Sequence, residues 1–203
     1  MRHLPLVFAI ASLVTGAPAF ADAIPYGSPG TIATTVALTA TSNGVITGYF
    51  AGANAADTDF IRLVDVTAGW TSANFFNNQT TAYSASQVFG TVSAGDVLVF
   101  ELYNQSTGDV FGTDPSHSAD GVNHGYVTAF SGDGTLPAGV YVGMEDLPVK
   151  GGDFDYNDDT FIFTNVSANA LSTAHLPEPS SLLLLGTGVL SAAGVIRRRA
   201  FSR

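Results

Sequence analysis

Short runs of β-branched and aromatic residues alternate with clusters of glycine, asparagine and aspartate along the middle of the chain. Leu98, Phe100 and Leu102 occupy every second position of one run. Phe161 and Phe163 do the same in another. Because successive side chains of a strand point to opposite faces, both sets are predicted to face a core. The predicted strands are 31–40, 44–50, 59–66, 86–92, 96–103, 125–130, 139–143 and 159–166.

This pattern of short strands and turn residues predicts an all-β fold, an antiparallel β-sandwich of jelly-roll or immunoglobulin-like type. Residues 22–170 have the length of one such domain and contain no internal repeat. Trp70 and the pair Phe75 and Phe76 are expected to pack in the core or in loops, with a ligand platform as the alternative. The order of the strands in the sheets stays open.

Two longer apolar runs lie near the chain ends, beside basic residues. Arg2 precedes the run 4–14, and the small-residue sequence Ala-Phe-Ala ends at position 21. This order predicts a secretory signal peptide over residues 1–21, flanking the domain with an N-terminal signal helix that signal peptidase removes. Near the other end, a hydrophobic transmembrane sorting helix is predicted over 180–196, before a basic cytoplasmic tail over 197–203.

The C-terminal segment combines three features in order: a linker over 171–179, the apolar run, and an arginine cluster. This order resembles the PEP-CTERM sorting signal of Gram-negative bacteria. The resemblance implies export through the inner membrane, a transient membrane anchor, processing by the protease-transpeptidase exosortase, and a final place at the cell surface or outside the cell. The residues that carry it are the sorting motif Pro177, Glu178 and Pro179, and the tail charges Arg197, Arg198 and Arg199.

The net charge is distributed unevenly between the two ends of the chain and the segment between them. The whole chain has 17 acidic and seven basic residues, for a net charge of −10. Residues 22–179 hold all 17 acidic residues with only Arg62 and Lys150, so this body carries −15. Such a charge disfavours nucleic-acid binding through a basic patch. The chain has no cysteine, which excludes disulfides and thiol nucleophiles.

The densest polar chemistry lies between residues 143 and 161. In an extended stretch, Asp153, Asp155 and Asn157 would point one way, while Phe154 and Tyr156 would point the other and anchor the segment. Crowded carboxylates require a counter-ion, and Ca²⁺ binds oxygen ligands of this kind. A solvated acidic loop is the alternative. The predicted calcium ligands are Glu145, Asp146, Asp153, Asp155, Asn157 and Asp158.

The stretches 145–148 and 152–158 resemble the end of an uncharacterised β-domain found in exported PEP-CTERM proteins. The segment from Asp120 to His124 matches an upstream Asp-Gly-x-x-His piece of that domain. The resemblance covers about residues 80–166 and implies a β-sandwich with ligand roles at the matched positions, but no reaction. Asp120 and His124 are expected to support the metal through a hydrogen bond to a ligand carboxylate. A transition-metal site with His117 is an alternative to plain loop residues.

The leading interpretation is a non-enzymatic exported protein of the cell envelope or extracellular matrix, with a Ca²⁺-stabilised β-sandwich and acidic exopolysaccharide as a candidate partner. One alternative is a carbohydrate-binding module. Another is a polysaccharide hydrolase with paired carboxylates, although the sequence motifs of common nucleophiles and zinc hydrolases are absent. The aromatic residues that would serve the carbohydrate-binding module are Trp70, Tyr83, Tyr103 and Tyr126.

Overall fold

The computed structural model describes residues 30–170; the predicted signal peptide, linker, sorting helix and basic tail lie outside this range. Within residues 30–170, no helix is long and apolar enough to cross a membrane. Besides the short 3-10 helix Pro115–His117, the regular elements are strands. They are β1 Val36–Ala40, β2 Gly44–Ala53, β3 Asp59–Asp65, β4 Trp70–Thr71, β5 Ser86–Val92, β6 Val97–Asn104, β7 Val110–Gly112, β8 Gly125–Phe130, β9 Gly139–Met144, β10 Asp159–Thr164 and β11 Val166–Ala170.

The strands form two antiparallel sheets, so the all-β prediction is confirmed. The first sheet has the order β11-β1-β6-β3-β4, with β7 paired to β6. The second has the order β5-β2-β10-β9-β8. Residues from both sheets share one buried hydrophobic cluster, which makes the two sheets the layers around a single core. The choice between a jelly-roll and an immunoglobulin-like type stays a prediction.

The core includes the alternating residues that the sequence singles out. Phe100 of β6 and Phe163 of β10 are fully buried and stack across the two sheets, with ring centroids 3.7 Å apart. Trp70, Phe75 and Phe76 are partly buried and pack against the same cluster, which confirms their expected packing role. These large rings account for much of the apolar area that the two layers bury.

Strands β4 and β7 were not predicted, β2 runs three residues further than predicted, and two further differences have a visible local cause. Strand β1 begins only at Val36, because the Ala33 N–H bonds to the Tyr156 hydroxyl instead of to a neighbouring strand. The predicted strand 159–166 is divided at Asn165, whose φ of 63° turns the chain from β10 into β11 of the other sheet. Asparagine tolerates this left-handed conformation better than most residues. Its side chain accepts hydrogen bonds from Thr41 and Ser42.

Candidate metal centre

Acidic residues from both sheets lie at one end of this two-layered structure. Asp59 begins β3 and pairs with Asn104, the last residue of β6, in the first sheet. Asp159 begins β10 and pairs with Met144, the last residue of β9, in the second sheet. The Asn104 amide joins the two sheets, since its Nδ2 donates to the Asp146 carbonyl at 3.1 Å. Glu145 and Asp146 follow β9 directly, so the acidic loop starts at this end.

The loop between β9 and β10 is anchored by its aromatic residues. Phe154 and Tyr156 are 3% and 2% exposed, which confirms the predicted anchors. The expected extended backbone is wrong at both residues, because their φ angles are 52° and 59°. The intervening carboxylates support this path: the Asp155 N–H donates to Asp153 Oδ1 at 3.2 Å, and the Asn157 N–H donates to Asp155 Oδ1 at 3.1 Å.

The five acidic residues predicted as ligands fall into two overlapping groups. Ligand oxygens of Glu145, Asp146 and Asp158 lie within 4.8 Å of one another, and so do those of Glu145, Asp153 and Asp155. Asn157 lies beside these groups: its Oδ1 accepts from Asn54 Nδ2 at 3.1 Å, and its amide donates to the Asp155 carboxylate. Ligand oxygens of the other four acidic residues in the predicted set therefore all lie within 4.8 Å of a Glu145 carboxylate oxygen.

Electrostatics at Glu145, Asp146 and Asp158 favours the uncharged acids. Burial, reinforced by neighbouring carboxylates, raises the pKa of Glu145 to about 8 and that of Asp158 to about 7. It raises the pKa of Asp146 to about 6. The ion pairs found among residues 30–170 join Glu101 to Arg62 and His117, and Asp120 to His124, so none includes a member of the two groups. Either protons or a cation must compensate the charge.

His124 contacts Glu145 through the backbone rather than through the carboxylate. Its buried ring lies 4.3 Å from the ring of Phe111, between centroids. Its Nε2 is 3.1 Å from Asp120 Oδ1, and its Nδ1 is 3.2 Å from the Glu145 carbonyl oxygen. Burial lowers the pKa of His124, against the opposing effect of Asp120. His117 instead contacts Glu101 at 2.8 Å, and the structure does not group it with Asp120 and His124.

Two further aspartates belong to this end of the molecule and are absent from the predicted ligand set. Asp59 and Asp159 are fully buried, and burial together with neighbouring aspartates raises their pKa values to about 7 and about 9. Asp57 lies beside Asp59, and its Oδ2 accepts from Asn104 Nδ2 at 2.8 Å. The sequence pattern does indicate that Asp59 is buried, because Asp59 continues the inward-facing alternation of Ile61 and Leu63.

The four aromatic residues suggested for sugar binding do not form one surface row. Trp70 and Tyr103 belong to β4 and β6 of the first sheet, whereas Tyr126 belongs to β8 of the second. Tyr83 is 52% exposed in the segment before β5, and its hydroxyl donates to Asp133 at 3.1 Å. Three of the four are partly buried.

Comparison with known families identifies the C-terminal segment. The family model of the PEP-CTERM protein-sorting motif matches residues 176–199. The chain carries a PEP-CTERM sorting motif. The match contains the Pro-Glu-Pro sequence and the three consecutive arginines, and it implies export, exosortase processing and a transient C-terminal anchor in a bacterial membrane. No curated protein and no solved structure matches the chain. The resemblance to an uncharacterised β-domain stays a prediction.

Proposed function

We propose that this protein is a structural component of the cell envelope or extracellular matrix of a Gram-negative bacterium. The signal peptide and the PEP-CTERM motif deliver it, and exosortase removes the tail. Its β-domain is stabilised by Ca²⁺ and has no catalytic role. The sorting motif supports the route of export, and the acidic centre supports the cation.

One observation carries the calcium proposal: Glu145, Asp146 and Asp158 place ligand oxygens within 4.8 Å of one another, and the first two residues are buried. No basic side chain forms an ion pair with them in the described range. The ligands are all oxygens, which favours a hard cation over a transition metal. Asp153, Asp155 and backbone carbonyls offer further oxygens toward the roughly six to eight that Ca²⁺ takes.

Burial of the carboxylates supports a structural role over hydrolysis. Glu145 and Asp146 are 1% and 4% exposed, whereas a glycosidase must present its two carboxyl groups to a sugar chain. The scattered positions of the aromatic residues give no such support to a carbohydrate-binding platform.

Thermal unfolding of the full chain in detergent tests the calcium proposal. Replacing EDTA with Ca²⁺ at about 100 times its dissociation constant should stabilise the fold by roughly 2.7 kcal/mol. For a domain of this size, that raises the unfolding midpoint by roughly 5–11 °C. Mg²⁺ at the same concentration is the control and should give a smaller shift. An identical midpoint in EDTA and in Ca²⁺ would contradict the proposal.

Intact-mass measurement of the protein released by its host tests the sorting route. The mature chain should begin at Asp22 and lack the C-terminal tail. Alanines at Pro177, Glu178 and Pro179 should leave the tail attached, whereas alanines at the neighbouring positions 171–173 should not. Removal of the tail from both variants would contradict the role proposed for the Pro-Glu-Pro sequence.

A further inference from the structure

A deeper group of carboxylates lies between the two sheets. Asp59 follows the inward register of Ile61 and Leu63 in β3, and Asp159 follows that of Phe161 and Phe163 in β10. Both aspartates are 0% exposed. Each therefore occupies a position that the strand pattern otherwise gives to a core residue, at the end where the hydrophobic cluster stops.

These two side chains have oxygens without hydrogen-bond partners. Among the described residues, both carboxylate oxygens of Asp159 and the Oδ1 of Asp59 accept no hydrogen bond. The other oxygen of Asp59 accepts from Asn78 Nδ2 at 3.1 Å. Buried polar atoms nearly always have a partner, and a buried charge without one is costly. Three such oxygens in two neighbouring residues therefore require a proton or a bound cation to compensate them.

The charge around these oxygens also exceeds what one cation compensates. Eight carboxylates surround this end of the molecule and, when all are ionised, carry a charge of −8: Asp57, Asp59, Glu145, Asp146, Asp153, Asp155, Asp158 and Asp159. One divalent cation at the loop leaves −6. Asp59, Asp146 and Asp159 interact electrostatically with one another, and they lie deeper in the structure than the exposed Asp153. A cation at the loop therefore leaves the charge of these three aspartates the least compensated.

We propose that Asp59, Asp146 and Asp159 hold a second Ca²⁺ ion between the two sheets, separate from the ion that Glu145 and its neighbouring carboxylates hold at the loop. Asp57 and Asp158 lie next to this inner site and offer further oxygens. Ca²⁺ fits a crowded set of protein oxygens, whereas Mg²⁺ keeps several of its waters. Asp146 borders both sites, because its carboxylate groups with those of Glu145 and Asp158 and also interacts electrostatically with Asp59 and Asp159.

The inner ion would join parts of the chain that are far apart in sequence. Asp59 belongs to β3 of the first sheet, and Asp159, 100 residues later, belongs to β10 of the second. No hydrogen bond of the strand ladders connects these two sheets at this end, within residues 30–170. A cation bound by both aspartates therefore fixes the spacing between the layers where the apolar core ends.

Counting bound Ca²⁺ on the full chain in detergent tests the inner site, by calorimetric titration with Ca²⁺ alone and by native mass spectrometry. The wild type should bind two ions. The inner-site variant Asp59→Asn/Asp159→Asn should bind one, and the loop variant Asp153→Asn/Asp155→Asn should also bind one. Asp65→Asn, a buried aspartate at the other end of β3, is the matched control and should bind two.

Asparagine preserves the size of each side chain, so the inner-site variant should still fold. In EDTA it should unfold at the wild-type temperature or above, because the substitution removes like charges from a buried cluster. In Ca²⁺ it should lose at least half of the wild-type shift. A variant that still binds the wild-type number of ions overturns the inner site and leaves the loop site standing. A wild type that binds no ion overturns both proposals, and a loop variant that binds none overturns their separateness.

Discussion

The two ends of strand β3 carry the same residue in different surroundings. Asp59 and Asp65 are both fully buried on the inward face, with Ile61 and Leu63 between them. At one end, Asp65 Oδ1 accepts from the Ala68 N–H at 2.8 Å and closes the turn toward β4. At the other end, Asp59 faces carboxylates of the second sheet. Each residue keeps one oxygen without a partner among the described residues.

This comparison shows that burial of a carboxylate does not by itself make a ligand site. Asp65 is a turn residue, since an aspartate that bonds to a backbone N–H a few positions later stabilises a turn. Asp59 and Asp159 contribute three unpartnered oxygens, counted among the described residues, within one acidic group, and these oxygens come from both sheets. The number and origin of the neighbouring carboxylates distinguish a cation site from a turn.

The largest expected effect is on the pH dependence of stability without metal. Folding raises the pKa values of the buried carboxyls above their ordinary values near 4, so the native state binds more protons than the unfolded state between about pH 4 and pH 9. In EDTA, the unfolding midpoint should therefore fall as the pH rises from 5 to 9. The groups responsible are Asp59, Glu145, Asp146, Asp158 and Asp159, with folded values from about 6 to about 9.

Two comparisons sharpen this pH prediction. The buried His124 acts in the opposite sense through its lowered pKa, but it is one group against five. Saturating Ca²⁺ should flatten the fall, because a bound cation compensates the deprotonated carboxylates. Asp59→Asn/Asp159→Asn should flatten it in EDTA as well. A midpoint that rises between pH 5 and pH 9 in EDTA would show that the acidic end does not behave as a buried cluster.

A smaller effect is expected at Gly152, which lies against Glu145. A Cβ atom at Gly152 would lie 2.6 Å from Glu145 Oε1, so Gly152→Ala must displace that carboxylate. We expect the free energy of unfolding to fall by about 1–3 kcal/mol, as for other overpacked sites, and the Ca²⁺-induced shift of the midpoint to shrink.

The neighbouring glycine provides the matched control for this substitution. A Cβ atom at Gly151 would have its nearest contacts at 3.9 Å, an ordinary van der Waals distance. Gly151→Ala should therefore keep the wild-type response to Ca²⁺. If both alanine variants respond like the wild type, the position of the Glu145 carboxylate does not matter for binding.

Most of the fold follows from local pattern. Alternation located the strands that contribute Phe100 and Phe163 to the core, because the two-residue period is written directly in the sequence. Strands β4 and β7 were missed because their two and three residues are too short for a period. The break of the predicted strand at Asn165 was missed because it depends on the chain crossing to the other sheet. There the Asn165 side chain accepts a hydrogen bond from the Ser42 N–H.

Only the part of the candidate site whose residues are close in sequence was predictable. Glu145 and Asp153 are close in sequence, so the sequence alone shows that their carboxylates are crowded. Asp59 stands about a hundred residues before Asp159, and only the packing of the two sheets against each other brings both to the same end. The sequence does show that Asp59 occupies an inward-facing position of an apolar strand. That position does not reveal which acidic residue of the other sheet lies beside it.

The smallest expected effect is at Asp65, and it tests whether location along β3 matters. Asp65→Asn keeps an oxygen that accepts from the Ala68 N–H, so the free energy of unfolding should change by no more than about 1 kcal/mol. Because β3 spans about 20 Å, this substitution lies far from the acidic end and should leave the Ca²⁺-induced shift unchanged. Asp59→Asn, the same exchange at the opposite end, should reduce that shift. Equal shifts in the two variants, measured in parallel melting curves, would mean that Ca²⁺ stabilises the domain without contacting Asp59.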